Sequence, residues 1–261
     1  MNKSYITTLG LSLFLTIATS ACKKTIEESN PDVDQYEEAP LYTDSEESEE
    51  EPAEEYTTID YTFPKTGKSI TDFIPKGTPF EIQYETKGDL NGDGLNDYVI
   101  VLTDKTRLYD EYPMLILLQQ TDGTYKLDKV SKVAIPIEFL ENRYPYYDSE
   151  SITIEQGLLK IFLFTMNGNN NISYTYTYID NELYLINGGL FMRGAGASAS
   201  VDIDFIQGKI NCVVSNLMVE DAEDKRINIS ITPSKHTFEN THVEILIHET
   251  YKEELKGYEV L

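Results

Sequence analysis

From residue 80 onward, apolar and polar side chains alternate in short runs separated by Gly, Asn, Asp and Pro. Alternation with period two places successive side chains on opposite faces of a β-strand, so each run predicts a strand with one buried face. Residues 80–85 (Phe-Glu-Ile-Gln-Tyr-Glu) follow this rule. Residues 97–103 and 113–120 are nearly continuous apolar runs, as a central strand requires. Thr121-Asp-Gly-Thr124 predicts a hairpin turn into a fourth strand at 125–130. A short helical turn is expected at 69–73, ahead of Pro75. Together these runs predict one antiparallel meander.

A second meander follows. Residues 151–154 turn at Gln156-Gly157 into 158–164, and the loop 166–171 leads to 172–179. Asp180-Asn181 then turns the chain into 183–186. Further strands are expected at 198–206, 209–214, 227–231 and 243–247. Helix-period patterns are nearly absent, so the predicted class is all-β, with one globular domain over residues 59–261, long enough to bury a sizeable core.

The first 58 residues read differently. Lys3, the apolar stretch 6–18 and the small residues Thr19-Ser20-Ala21 have the three parts of an export signal, assigned to residues 1–21. An apolar core this short falls below a membrane span. Small residues directly before Cys22 resemble a bacterial lipobox, which implies that Cys22 becomes the lipid-modified first residue of the mature chain. An ordinary cleaved signal beside a chance cysteine is the plainer alternative. Lys23 stands where an Asp would mark inner-membrane retention, so an outer-membrane lipoprotein is expected, facing either the periplasm or the surface. With Cys22 lipidated, Cys212 has no disulfide partner and reads as a buried small hydrophobe.

Residues 22–58 form the expected tether. Between Glu27 and Thr58 there are fourteen Asp and Glu and no Lys or Arg. Self-repulsion and the lack of apolar residues keep such a segment extended, with a reach of about 30 Å or more. Removing these acids and the lysines at 3, 23 and 24 from the chain's 45 acids and 21 bases leaves 31 against 18. The globular part therefore carries about −13, a field that disfavours nucleic acid and docking on anionic lipid.

The densest chemistry lies in Gly88-Asp-Leu-Asn-Gly-Asp-Gly-Leu-Asn-Asp97, just before the apolar run at Tyr98. Asp89, Asn91 and Asp93 alternate, Gly92 and Gly94 allow the positive φ of a tight wrap, and Asp97 closes the set. Hard oxygens in this arrangement suit Ca²⁺. An EF-hand would need a Glu where Ile100 stands, so that motif is excluded. The remaining pattern, D-x-N-x-D-G-x-x-D with a strand after it, resembles the FG-GAP calcium loop of integrin-like propeller blades. By that resemblance the ligands are the side chains of Asp89, Asn91, Asp93 and Asp97 and the carbonyl of Leu95. A metal-free Asx/Gly turn is the alternative. Phe73-Ile-Pro-Lys-Gly77, the run 115–122, Ile154-x-x-Gly157-x-Leu159 and 204–210 extend the likeness. Together they resemble bacterial secreted or envelope proteins with one FG-GAP-like or VCBS-like loop. The resemblance implies meanders arranged like propeller blades, as a partial propeller or sandwich. Relatives often carry a Trp-bearing segment near the middle. This chain has no tryptophan, so no ligand role transfers to residues 167–171.

No Gly-x-Ser-x-Gly elbow and no phosphate-cradling pattern occurs. If 242–248 is a strand, His242, Glu244 and His248 share a face, with the histidines about 20 Å apart, too far to share an ion. Tyr174, Tyr176 and Tyr178 line one face of a strand, either in the core or as an exposed platform for sugar rings or peptide. The expected function is a lipid-anchored, non-catalytic binding or structural module with a structural Ca²⁺ site. Its partners would be the outer membrane, through Cys22, and a protein or glycan. The alternative is a Ca²⁺-supported hydrolase of envelope or extracellular polymers, built on paired carboxylates from distant strands.

Overall fold

The structure, a computed structural model, describes residues 61–104, 106, 112–136, 147–165 and 169–258. The expected signal (1–21), Cys22, the tether (22–58) and part of the 166–171 loop lie outside these residues. The described residues belong to one compact unit.

The all-β class and its antiparallel meanders are present. The elements are β1 (Thr66–Gly67), a 3-10 turn at Ile70–Phe73, β2 (Phe80–Gly88), β3 (Asp97–Asp104), β4 (Met114–Gln119) and β5 (Tyr125–Ser131). The second series is β6 (Tyr147–Glu155), β7 (Leu158–Thr165), β8 (Asn170–Ile179), β9 (Glu182–Gly194), β10 (Ala197–Asp204), β11 (Lys209–Asn216) and β12 (Lys225–Ser230). β13 (His236–Thr237) and helix α1 (Val243–Glu254) complete the described chain. The first sheet has the order β1-β5-β4-β3-β2. The second runs β12 to β6 in reverse chain order, with β13 added beside β9. One sheet curls into a half-barrel.

Both faces of β3 and β4 are covered, which is why their sequences are apolar without alternation. Val99, Val101, Met114 and Ile116 pack into a core shared with Leu159, Ile161, Tyr174, Leu185 and Val201 of the second sheet. Ile100, Leu102, Leu115 and Leu117 face the other way, onto Phe73, Phe80, Tyr125 and Leu127. Tyr61, Phe63, Ile70 and Ile74 close that second core. Each fully buried aliphatic side chain contributes about 1.5–3 kcal/mol relative to exposure.

Two expectations are corrected. Residues 243–247 are not a strand but the start of α1. The five-residue window Val-Glu-Ile-Leu-Ile is apolar and rich in β-branched residues, as a short strand would be, but the longer spacing is helical. Val243, Ile247 and Leu255 are buried, and Tyr251 packs beside them, every fourth residue on one face. Consequently His242, Glu244 and His248 are not the alternate residues of one strand. Glu244 accepts a hydrogen bond from the Tyr147 hydroxyl at 2.7 Å, and the His248 ring lies 3.0 Å from the Glu244 carbonyl. The other correction concerns β9, which runs well past the expected 183–186. Gly188 and Gly189 lie inside the strand, where neighbours press on both. A Cβ on Gly188 would sit 2.7 Å from Ile247 of α1, and one on Gly189 2.7 Å from the Ser173 hydroxyl.

The tyrosine row belongs to the interior. Tyr174 and Tyr176 are fully buried, and Tyr178 is partly buried against the same core. Tyr174 donates to the Ala134 carbonyl at 2.5 Å. Tyr178 donates to Asp128 at 2.6 Å and so ties β8 to β5 of the first sheet. The Tyr176 hydroxyl has no hydrogen-bond partner among the described residues, and burial drives its pKa far above that of a free phenol.

Two outcomes follow from these environments. Tyr176→Phe removes a buried donor that satisfies nothing, so urea denaturation should find it neutral or up to ~1 kcal/mol more stable, whereas Tyr174→Phe should cost about 1 kcal/mol. His236, 5.1 Å from the Phe205 ring, is held below the ordinary histidine range by burial. In the window between its lowered pKa and about 6.5, the unfolded chain binds the extra proton. Stability therefore rises with pH through that window and is lost as pH falls through it. Melting curves should show a shallower acid slope for His236→Gln than for wild type.

Candidate functional site

β2 and β3 are antiparallel, with Gly88 opposite Asp97, so the acidic loop is the eight-residue connection between them. Its entrance is fixed by contact with the second sheet. A Cβ on Gly88 would lie 2.8 Å from Ile154, so only glycine lets β6 approach this closely. Leu90, only 2% exposed, anchors the loop in the shared core. Gly92 and Gly94 have φ of +80° and +85°, the left-handed turns expected of them.

The curvature of the loop is held by its own acids. The two Asp89 oxygens accept from the amides of Gly92 (2.8 Å) and Gly94 (3.0 Å). The Asn91 side-chain oxygen accepts from Asp93 N (3.0 Å), and its amide donates to Asp93 Oδ2 (3.1 Å). Asp93 Oδ1 accepts from Leu95 N at 2.7 Å.

Asp97 is the innermost member. It is 0% exposed, and its two oxygens accept from Leu90 N and from Gln119 N, each at 3.0 Å. One carboxylate thus joins the start of the loop, the start of β3 and the end of β4. Asn96 N donates to the Gln119 side chain at 3.0 Å, doubling the link to β4. Burial pushes the Asp97 carboxyl above its ordinary pKa, and the Asp93 charge adds to this. The amides of Gln119, Leu90 and Asn91 pull the other way.

The donor set is hard oxygen throughout and carries three carboxylates within nine residues, the chemistry a calcium ion takes. An ionised carboxylate has about four lone-pair positions, so accepting one or two amides leaves acceptor capacity on Asp89, Asp93 and Asp97. Against this, among the described residues no three His, Cys, Asp or Glu side chains are grouped so that they could hold a metal ion. Asn91 and the Leu95 carbonyl fall outside that count. What the loop does in this geometry is cap its own amides and clasp β3 to β4.

Carboxylates from distant elements do meet elsewhere. Lys129 of β5 lies 2.9 Å from Glu182 of β9 and 3.7 Å from Glu239. Burial opposes the Lys129 charge, but the Glu182 hydrogen bond and the surrounding acids outweigh it and raise the ammonium pKa. Burial, then the Glu182 charge, lifts Glu239. No feature of the sequence pairs these three residues, which come together only when the two sheets meet. Lys129 stands between the two acids and offsets one of their two charges, and its pair with Glu182 ties β5 to β9 across the two sheets.

Comparison with protein-family models, curated proteins and solved structures gave no match to this chain.

Asp97→Asn tests the clasp. The amide keeps one acceptor oxygen but turns a donor toward a buried N–H, so chemical denaturation should find a loss of about 2–3 kcal/mol at neutral pH.

Proposed function

We propose that this chain is a lipid-anchored envelope protein whose β-domain is a non-catalytic binding or structural module, stiffened by Ca²⁺ at the β2–β3 loop. The observation that carries this reading is the placement of Asp97. A buried carboxylate heads the central strand, its pKa raised by burial and to a lesser extent by the Asp93 charge, and a divalent cation beside them would favour the ionised form. Asp89, Asn91, Asp93, Asp97 and the Leu95 carbonyl would hold the ion. The ion supplies charge compensation and rigidity, and this chain's residues supply the attachment to both sheets through Leu90, Gly88 and Gln119. Anchoring through lipid on Cys22, an outer-membrane location and a spacer role for residues 22–58 rest on the leader, the cysteine and the acidic run. The likeness to FG-GAP-loop envelope proteins and their blade-like meanders supports the same reading. A ligand of protein or glycan chemistry fits a module without its own catalytic group.

The decisive experiment is thermal melting of the full chain with chelator and then with Ca²⁺ at several millimolar. An affinity on the order of 10⁻⁴–10⁻³ M should raise the melting temperature by about 2–9 °C. The paired substitution Asp89→Ala with Asp93→Ala should abolish the increment. The calcium reading is falsified if neither chelator nor this pair changes the response.

A further inference from the structure

β11 and β12 are joined by residues 217–224, and this connection is well organised. Leu217 N donates to the Gly196 carbonyl at 2.7 Å, and Met218 N to the Asn216 side chain at 2.8 Å. The Ser215 hydroxyl donates to Asp224 at 2.6 Å, and Ala222 N to the Val219 carbonyl at 3.4 Å. Asp221 takes a φ of +60° to complete the turn. Despite this order, Leu217, Met218 and Val219 are 47%, 78% and 56% exposed. These are three consecutive large apolar side chains held out to solvent on a fixed loop.

The neighbouring hairpin tip extends the surface. Met218 lies over Gly196, where any Cβ would collide with it, and Gly196 joins β9 to β10. Between the tips is a groove of about 370 Å³, lined by Ala195, Gly196, Ala197, Val214 and Met218 among others. Glu223 and Lys225 both line it, and Glu220 and Asp221 stand on the same β11–β12 connection. Glu220, Asp221 and Glu223 are exposed and make no ion pair among the described residues, while Asp224 is engaged by Arg226 at 3.3 Å.

An apolar patch with a polar rim marks an interaction site, and a protruding methionine adapts to varied partners. Glu220, Asp221 and Glu223 outnumber Lys225 there, and this acidic excess selects among them. Anionic lipid is repelled, and so is a second copy of a domain carrying about −13. We propose that the paired tips of β9–β10 and β11–β12 dock a protein segment that presents an apolar face bordered by Lys or Arg. This deepens the binding-module reading by naming the surface and the chemistry of its partner, and it does not depend on calcium.

The probe is a labelled amphipathic peptide of Leu and Lys, titrated into the full chain by fluorescence anisotropy. The acidic segment 27–58 is common to all variants, so its unspecific attraction cancels between them. Binding should weaken with salt. It should fall at least about tenfold in Met218→Ser, and in Val219→Ser as a second variant away from Gly196, with melting unchanged. Glu220→Lys with Glu223→Lys should lose the Leu/Lys peptide and gain a Leu/Glu one. Equal affinity for wild type and both serine variants would overturn the proposal. So would binding of phosphatidylcholine or phosphatidylglycerol vesicles, or a dimer, that Met218→Ser removes. An intact calcium response in these variants separates failure here from failure of the metal site.

Discussion

The two-sided burial of β3 and β4 is the constraint from which the other features descend. A strand pair with apolar residues on both faces must be covered twice. The second sheet covers one face, and the segment from Tyr61 to Ile74, with Phe80, Tyr125 and Leu127, covers the other. The ends of β3 then become a problem of polar satisfaction, most of all at its start, where the Leu90 amide is removed from water. Both ends are met by an aspartate. Asp97 accepts from Leu90 and Gln119 at the start, and Asp104 accepts from the Thr106 amide and hydroxyl at the finish. Both carboxylates are buried, so the strand is bracketed by charge that its own neighbours keep hydrogen-bonded.

The join between the sheets combines shape with polar ties. Glycine at 88 lets β2 approach β6 where a methyl group would collide with Ile154. Tyr178–Asp128 and Lys129–Glu182 link β5 to β8 and β9. The Lys129 group is partly exposed, so solvent weakens its net value and its larger effect is on which strands face each other. The acidic loop sits at this join, which is why its conformation bears on both sheets.

Much of the strand plan was legible in the sequence because period-two alternation survives wherever one face is wet, as in β7, with Lys160 and Phe162 outward and Leu159, Ile161 and Leu163 inward. The loop was legible because its glycines and Asx residues act over a few positions. Helix α1 was not, since five mostly apolar residues rich in Val and Ile are too few to show a helical period. Its identity rests on Val243, Ile247, Tyr251 and Leu255 meeting the core together. The continuation of β9 through Gly188-Gly189 was hidden for the converse reason: those glycines answer to α1 and to Ser173.

What the sequence alone determined is local: the order of strands and turns, the left-handed glycines, the acidity of the first segment and the oxygen-rich loop ahead of an apolar run. Each depends on residues close together in the chain, where propensity, charge and steric freedom act directly. Only the tertiary structure decided that the tyrosine row is core, that Asp97 clasps β4 through Gln119, that Lys129 meets Glu182 and Glu239, and that Met218 caps Gly196. Those facts require segments far apart in sequence to be brought within a few ångströms, and no local pattern encodes the distance.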